Sequence, residues 1–334
     1  MSTVTLSLSE AQTLLTAVFE TSGVPTASAA SVARALVAAE AEGQKGHGFS
    51  RVADYAAQVK SSKINGMPHV RVENRAPASL YIDADHGFAY PALDAAIEAG
   101  TALCKTQGVA LMAIGNSHHC GALSIQVERL ANAGLIGLMV ANTPKAMAPW
   151  GGREAVFGTN PIAFATPVDG GAPLVIDLSL SKVARGKVMA AKKAGTAIPE
   201  GWALDAHGAA TTDPDDALGG TMLPIGEAKG TALALMVESL ATALTGSAFS
   251  TEAGSFFNAD GPPPRVGQTL IAIDPGAQSD YGARVAELLS GIAAMEGARL
   301  PGTRRLAARA QAEAHGLDVP TPFVEQARAL AGLP

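Results

Sequence analysis

Apolar residues recur at helical spacing up to about residue 60 and again toward the C-terminus, whereas the middle of the chain breaks into short apolar runs. SLSE at residues 7–10 has the form of a capping box, and Ala11, Leu14, Leu15, Val18 and Phe19 follow on one helical face. That helix is expected to end at Gly23 and Pro25. A second is predicted over 27–42, with Val32, Leu36 and Ala39 together and Gly43 as its stop, and a third is predicted to begin near His47. From Val70 onward, apolar runs at 78–82, 109–114, 135–140, 162–165, 174–178 and 269–273 are bounded by Gly and Pro and read as strands. A helix over 122–133 makes the second and third of these a strand, helix, strand unit. A further helix over 228–244 is expected to bury Leu233, Met236, Val237, Leu240 and Leu244. Three more helices are predicted over 280–296, 303–315 and 322–333.

Helices at both ends and strands between them predict an α/β protein in which one unit is assembled from both termini, residues 1–115 and 275–334. A second unit, 116–274, is inserted into it. No internal repeat is evident.

The 334 residues are 48% hydrophobic and 16% charged, enough apolar material for about two packed domains. With 24 Lys and Arg against 30 Asp and Glu, the net charge is −6, which argues against a nucleic-acid partner. No apolar run approaches the roughly 20 residues that span a bilayer, and the N-terminus lacks the basic and apolar regions of a secretion signal. A cytoplasmic protein with no membrane partner is the expectation. Cys104 and Cys120 alone make no disulfide framework and suit a reducing compartment.

Several nucleotide and metal signatures are missing. No G-x-G-x-x-G follows a strand; GHGFSR, starting at Gly46, follows a helix and lacks the third glycine. ARGKV at Ala184 and EAKGT at Glu227 lack P-loop spacing, and neither H-E-x-x-H nor paired C-x-x-C occurs. Metal ligands are not expected, although a zinc site using His47, His119 and Cys120 remains one alternative.

Other positions carry chemistry. Spacings of four place His47, Arg51 and Tyr55 along one side of a helix, a face suited either to a carboxylate or simply to solvent. His118 and His119 lie in NSHHCG, between a strand and a helix, where loops commonly present catalytic groups. The glycine-rich stretches Trp150-Gly151-Gly152 and Gly158-Thr159-Asn160-Pro161 let backbone amides approach a ligand or merely form turns. Lys229 opens a helix, an end that disfavours a cation unless an anion lies near. Asp177 ends a strand, placed either to accept from a ligand or to cap the next segment.

Taken in order, HGFSR with Tyr55, NSHHCG, APWGG, FGTNPIAFATP, VIDLSLSKVARGK, IPEGWALD, LPIGEAKG and RLPG resemble the type 2 malate/L-lactate dehydrogenase family, which includes ureidoglycolate dehydrogenase and reductases of the cyclic imines Δ1-piperideine-2-carboxylate and Δ1-pyrroline-2-carboxylate. The resemblance runs from about Ala11 to Arg305. It implies a nicotinamide-dependent oxidoreductase with a non-Rossmann cofactor domain, in agreement with the missing fingerprint, and a homodimer. It implies His119 as general acid/base and His47, Arg51 and Tyr55 around the substrate. It places cofactor contacts at Thr143, Thr159, Asn160, Asp177, Leu178, Ser179 and Lys229, with RLPG near the adenosine end.

The expected reaction is hydride transfer between NAD(P)H, either form, and C2 of a small 2-oxo or 2-imino carboxylate held by Arg51. Gly46 stands where the family commonly has serine, so the exact substrate does not carry over. His118-His119 followed by Ala122-Leu123 is closer to the cyclic-imine reductases. A zinc-dependent hydrolase and a non-catalytic ligand-binding protein are the alternatives.

Overall fold

The computed structural model describes residues 2–276 and 280–334. The N-terminal strand β1 (Thr3–Leu6) leads into α1 (Leu8–Thr21), where Ser7 and Glu10 form the capping box in both directions. Such a cap contributes about 1 kcal/mol. The five apolar residues read as one face of α1 are all buried. Helix α2 (Thr26–Ala41) follows; then come two single 3₁₀ turns, Lys45–His47 and Phe49–Arg51, before α3 (Val52–Lys60). His47, Arg51 and Tyr55 therefore do not share one continuous helix. The cause is Gly48, whose φ of −106° and ψ of −130° break the helical path. A Cβ there would lie 2.1 Å from Glu40 Oε2, which instead accepts the Phe49 amide hydrogen at 2.9 Å.

Strands β2 (Arg71–Ala76) and β3 (Ser79–Asp83) form a hairpin, and α4 (Ala89–Gln107) crosses from β3 to the parallel strand β4 (Val109–Ser117). Helix α5 (Leu123–Asn132) connects β4 to β5 (Ile136–Ala141), with β6 (Ile162–Thr166) and β7 (Leu174–Leu178) beyond. A small lobe contains α6 (Arg185–Ala194), β8 (Ala203–Leu204), β9 (Ala210–Thr211), α7 (Pro214–Gly219) and β10 (Thr221–Met222). Helix α8 (Ala228–Glu238) continues into a π turn at Ser239–Ala243, and β11 (Val266–Ile273) then enters the middle of the large sheet. The chain closes with α9 (Tyr281–Ala293), α10 (Thr303–His315), β12 (Leu317–Pro320) and α11 (Thr321–Leu330).

The seven-stranded sheet has the order β2-β3-β4-β11-β5-β6-β7 and is mixed: β3 and β4 are parallel, the other pairs antiparallel. Residue 115 lies inside β4, so this sheet draws strands from both sides of the 115/116 division. Alternation along β5 sends Met139 and Ala141 into the core with α4 and α5, and Val140 to the opposite core with Ala234 and Val237 of α8. The terminal segments share a separate helical core: Leu15, Phe19, Leu36 and Tyr55 pack with Val319 and Val324, and β1 pairs with β12. Arg305 of α10 bonds Glu42 and Glu128, each at 2.8 Å, joining α10 to the end of α2 and to α5.

The buried face expected of α8 also changes, and one strand had no counterpart among the predicted runs. Leu233, Met236 and Leu244 are exposed at 41%, 42% and 41%, because the small residues Gly230 and Ala234, with Val237, are what α8 turns inward. The helix is apolar on every side, so its apolar positions did not identify the packed face. Strand β2, fully exposed and containing Arg71, Glu73 and Arg75, carried no apolar run to reveal it.

Candidate active site

The turn that follows β4 points the histidine pair into the seam between the sheet and the helical core. Tyr55 Oη lies 2.6 Å from His119 Nδ1 and 3.3 Å from Tyr90 Oη of α4. His47 stacks on His119 with ring centroids 5.3 Å apart at 29°. Arg51 sits beside them, its Nε donating to Gly46 O at 2.8 Å and its guanidinium 4.4 Å from the centre of the Phe257 ring. The three residues expected on one helical face thus converge on His119 by way of two turns and a helix. Gly121, at φ +66°, permits the loop's bend, and a Cβ there would come within 2.6 Å of Tyr90 Oη.

His118 plays a different part. Gln58 donates from Nε2 to Phe256 O at 2.9 Å, which turns its Oε1 toward His118 Nε2, 2.8 Å away. His118 Nε2 must then carry the proton, leaving Nδ1 bare; Nδ1 is buried without a partner. The Phe256 ring covers both histidines, at 5.3 Å from His118 and 4.9 Å from His119.

Burial sets the proton affinities. His119 is held well below its ordinary value by desolvation, with the charge of Arg51 and the neighbouring His47 and His118 acting in the same direction. Desolvation and Arg51 bring His47 to about 4, while desolvation, Lys63 and Arg51 bring His118 to about 3. Burial also raises the phenols of Tyr55 and Tyr90 and pushes the Cys120 thiol up to about 12. The free protein at neutral pH therefore holds neutral imidazoles beside a permanent guanidinium. Among the described residues no set of three His, Cys, Asp or Glu side chains is arranged to hold a metal, so His47, His119 and Cys120 do not form the ligand set of the zinc alternative.

The positions assigned to cofactor form a connected wall. Thr143 Oγ1 accepts from the Thr159 amide at 3.0 Å, and Gly158 must be glycine because a Cβ would meet Thr143 O at 2.2 Å. Thr159 O accepts from Leu180 N, whose own carbonyl accepts from Ile225 N, each at 2.8 Å. Asn160, with φ +39°, is buried and donates to Glu238 Oε2 at 2.7 Å and to Ala234 O at 3.2 Å, fastening this wall to α8. Its Oδ1 is buried without a partner. Leu178 is exposed, and Ser179 Oγ lies 3.2 Å from Ser181 Oγ. Asp177 does not cap the segment that follows it: Oδ2 accepts from Ser124 N at 2.8 Å, tying β7 back to the start of α5 just beyond the histidine loop.

Lys229 is exposed at the start of α8, next to Gly226 and Glu227, which both have positive φ. No carboxylate pairs with it among the described residues, so its charge is available to an anion, although its own amide already donates to Gly226 O at 3.1 Å. Exposed Leu178, Ile225 and Trp150 supply apolar surface on the same wall, Trp150 N donating to Thr231 Oγ1 of α8 at 2.8 Å. A free cation, small hydroxyls and exposed apolar side chains fit a nicotinamide dinucleotide.

The sequence had not pointed to Tyr90, Gln58, Lys63, Phe256 or Phe257. The Phe256-Phe257 pair had a usable signal, being an aromatic doublet in a glycine- and proline-rich segment of a chain with only 4% aromatic residues.

Known proteins resemble this chain in sequence and in fold. Residues 6–327 match the model of the family described as malate/L-lactate dehydrogenase. A (2R)-3-sulfolactate dehydrogenase (NADP(+)) of Chromohalobacter salexigens is 50% identical over 327 residues, 98% of each chain. A Δ1-pyrroline-2-carboxylate/Δ1-piperideine-2-carboxylate reductase of Pseudomonas putida is 40% identical over 97% of this chain and 96% of its own. The crystal structure of Δ1-piperideine-2-carboxylate reductase from Pseudomonas syringae superposes with a TM-score of 0.93 at 37% identity, covering 98% of this chain and 99% of the other.

Proposed function

The chain belongs to the malate/L-lactate dehydrogenase family, and on that premise we propose that it oxidises small 2-hydroxy carboxylates of the 3-sulfolactate kind, with NADP⁺ as the hydride acceptor, and runs the reverse reduction. It is an NAD(P)-dependent oxidoreductase acting on small carboxylates. The observation that carries the reading is the Tyr55–His119 hydrogen bond beside Arg51 in a buried aromatic enclosure. The 50% identity to a sulfolactate dehydrogenase supports this choice of substrate.

Arg51 holds the C1 carboxylate, because a planar guanidinium grips two oxygens at once. His47, with a buried unpaired Nδ1, supplies a further hydrogen bond to the substrate. Nδ1–H of His119 donates to Tyr55, leaving Nε2 bare to take the proton of the C2 hydroxyl. Tyr55 in turn passes its hydrogen to Tyr90, so the pair can accommodate either His119 tautomer by rotating hydroxyls. The bound nicotinamide supplies the acceptor for the C2 hydride. Thr143, Thr159, Ser179, Leu178 and Lys229 would hold the cofactor, while Asn160 and Asp177 keep that wall in place.

Reduction of a cyclic 2-imino carboxylate is the second reading, favoured by the 40% relative and by the reductase structure at a TM-score of 0.93. An iminium nitrogen enters already protonated, so His119 would orient it rather than protonate it. The deciding experiment follows nicotinamide absorbance with 3-sulfolactate, malate and L-lactate under NADP⁺ or NAD⁺, and with Δ1-piperideine-2-carboxylate under NADPH or NADH. Turnover of 3-sulfolactate at the highest kcat/KM supports the main reading; turnover of the imine alone replaces it.

A second copy of the chain covers the apolar face of α8, where Leu233, Leu235 and Met236 stand 41%, 58% and 42% exposed. Leu233 and Met236, three residues apart, neighbour each other on the helix surface, and Leu235 extends this exposed apolar surface around the helix, as at an interface.

A further inference from the structure

Lys63 is 1% exposed, and the mechanism above leaves it unused. Its ammonium donates to Asn258 O at 3.1 Å, Asn258 Oδ1 at 2.9 Å and Asp260 O at 2.7 Å, which occupies all three of its hydrogens. A buried ammonium is costly to desolvate, and these bonds are what offset the cost. Two of the acceptors are backbone carbonyls, so the bonds fix the path of the 254–260 segment rather than merely pairing charge. That segment carries Phe256, against the histidine rings, and Phe257, against the Arg51 guanidinium. It has little core of its own, since Phe257 and Asn258 are exposed and Gly261-Pro262-Pro263-Pro264 follows at once. Gln58 provides the other tether, through Phe256 O. Both tethers come from α3 or the residues just after it, the element that also presents Tyr55.

We propose that Lys63 is a positioning residue for the reaction: by pinning the 254–260 segment it keeps Phe256 over His118 and His119 and Phe257 against Arg51, and so governs substrate binding and water access to His119 without touching either. The inference rests on the reading of His119 as the proton-transferring group. Several groups face that ring: His47, Arg51 and Tyr55 from the turns and α3, with Tyr90 of α4 behind Tyr55, and His118 from its own loop; the 254–260 segment meets it with Phe256. Loosening the segment admits water to the ring, and removing the Lys63 charge also relieves His118. Both changes favour the protonated imidazoles.

The test compares Lys63→Met and Asn258→Ala with the parent chain. KM for the carboxylate substrate is read against kcat, and the histidine ring protons are titrated by NMR without substrate. Lys63→Met is expected to raise KM about tenfold with a smaller effect on kcat, and to move the His119 titration up by about one pH unit, toward 6.5. Asn258 is exposed, and alanine there removes only the Oδ1 acceptor, one of three, while keeping the backbone carbonyl, so Asn258→Ala should stay folded and shift both readouts less, in the same direction. A Lys63→Met protein with a lower Tm but the parent's KM and ring titration overturns the proposal. Should that variant fail to fold, parental values in Asn258→Ala overturn it equally. Absence of turnover in the parent would instead count against the reading of the site, while the ring titration stands apart from activity.

Discussion

The phenol oxygen of Tyr55 lies 2.6 Å from Nδ1 of His119, although the two residues are 64 positions apart in the chain. Tyr55 is fully buried, and Tyr90 Oη backs its hydroxyl at 3.3 Å. A neutral imidazole beside a guanidinium has no carboxylate here to fix its orientation, so the phenol pair does that work.

Tyr55→Phe keeps the ring packed against Phe88 and His119 but leaves Nδ1 without its partner. Its kcat should fall about 10- to 100-fold with cofactor affinity unchanged, whereas His119→Ala should lose about 10²- to 10⁴-fold, the usual range for a general acid or base. Steady-state kinetics and cofactor fluorescence titration measure both. A His119→Ala enzyme as active as the parent would move the proton-transfer role to another group.

Stability should fall on acidification because of the same histidines. Their folded-state values are lowered, so the unfolded chain takes up protons from about 6.5 downward, before the folded one does. The folded protein holds off protonation until about 4 at His47 and about 3 at His118. Nothing is lost above about pH 7; below about 6.5 each buried histidine removes up to about 1.4 kcal/mol per pH unit. Thermal melts between pH 7 and 4.5 should show Tm dropping steadily. A flat Tm across that window would mean that the imidazoles are already solvated or charged.

Much of the fold was legible because strands and helices with one buried face announce themselves by period. All six apolar runs became strands, and the α1 face was read residue by residue. Period failed where a helix is apolar all round, as in α8, and where an edge strand is polar throughout, as in β2. At the site, the spacing of His47, Arg51 and Tyr55 foretold that the three come together but by the wrong local route, since Gly48 interrupts the helix that the spacing assumed. Tyr90, Gln58 and Lys63 stayed hidden because their partners lie 35 to 198 residues away, and no local pattern encodes such a contact.

Arg51→Lys should raise KM for the carboxylate by about 10- to 100-fold and leave kcat less affected. An ammonium lacks the two-pronged fork, and it also loses the planar contact with Phe257. Unchanged KM and kcat/KM across the substrates turned over would remove Arg51 as the carboxylate clamp.

Leu235→Glu should weaken self-association, since it puts a carboxylate at the most exposed apolar side chain of α8. Sedimentation equilibrium on parent and variant reads this directly. A monomeric parent, or an equally dimeric variant, would place the interface elsewhere.

Lys229→Met should lower NADPH affinity by about tenfold, while Met112→Leu, in the buried centre of β4, should not. The lysine begins α8 with no carboxylate partner among the described residues, at the helix end where a cation is opposed by about 0.3–1 kcal/mol. Its position is comfortable once an anion arrives, because the ammonium and the positive end of the helix dipole then act on the same group. Methionine keeps much of the aliphatic stem and removes the charge with all three donors, so lost packing contributes little. Met112 controls for general loosening: it packs directly against Gly100, where even a Cβ would come within 2.1 Å of its sulfur. Fluorescence titration of NADPH, repeated at two salt concentrations, should show the parent's affinity weakening with salt more steeply than the variant's. Equal affinity and equal salt dependence in a folded Lys229→Met protein would move the cofactor's anionic groups away from the start of α8.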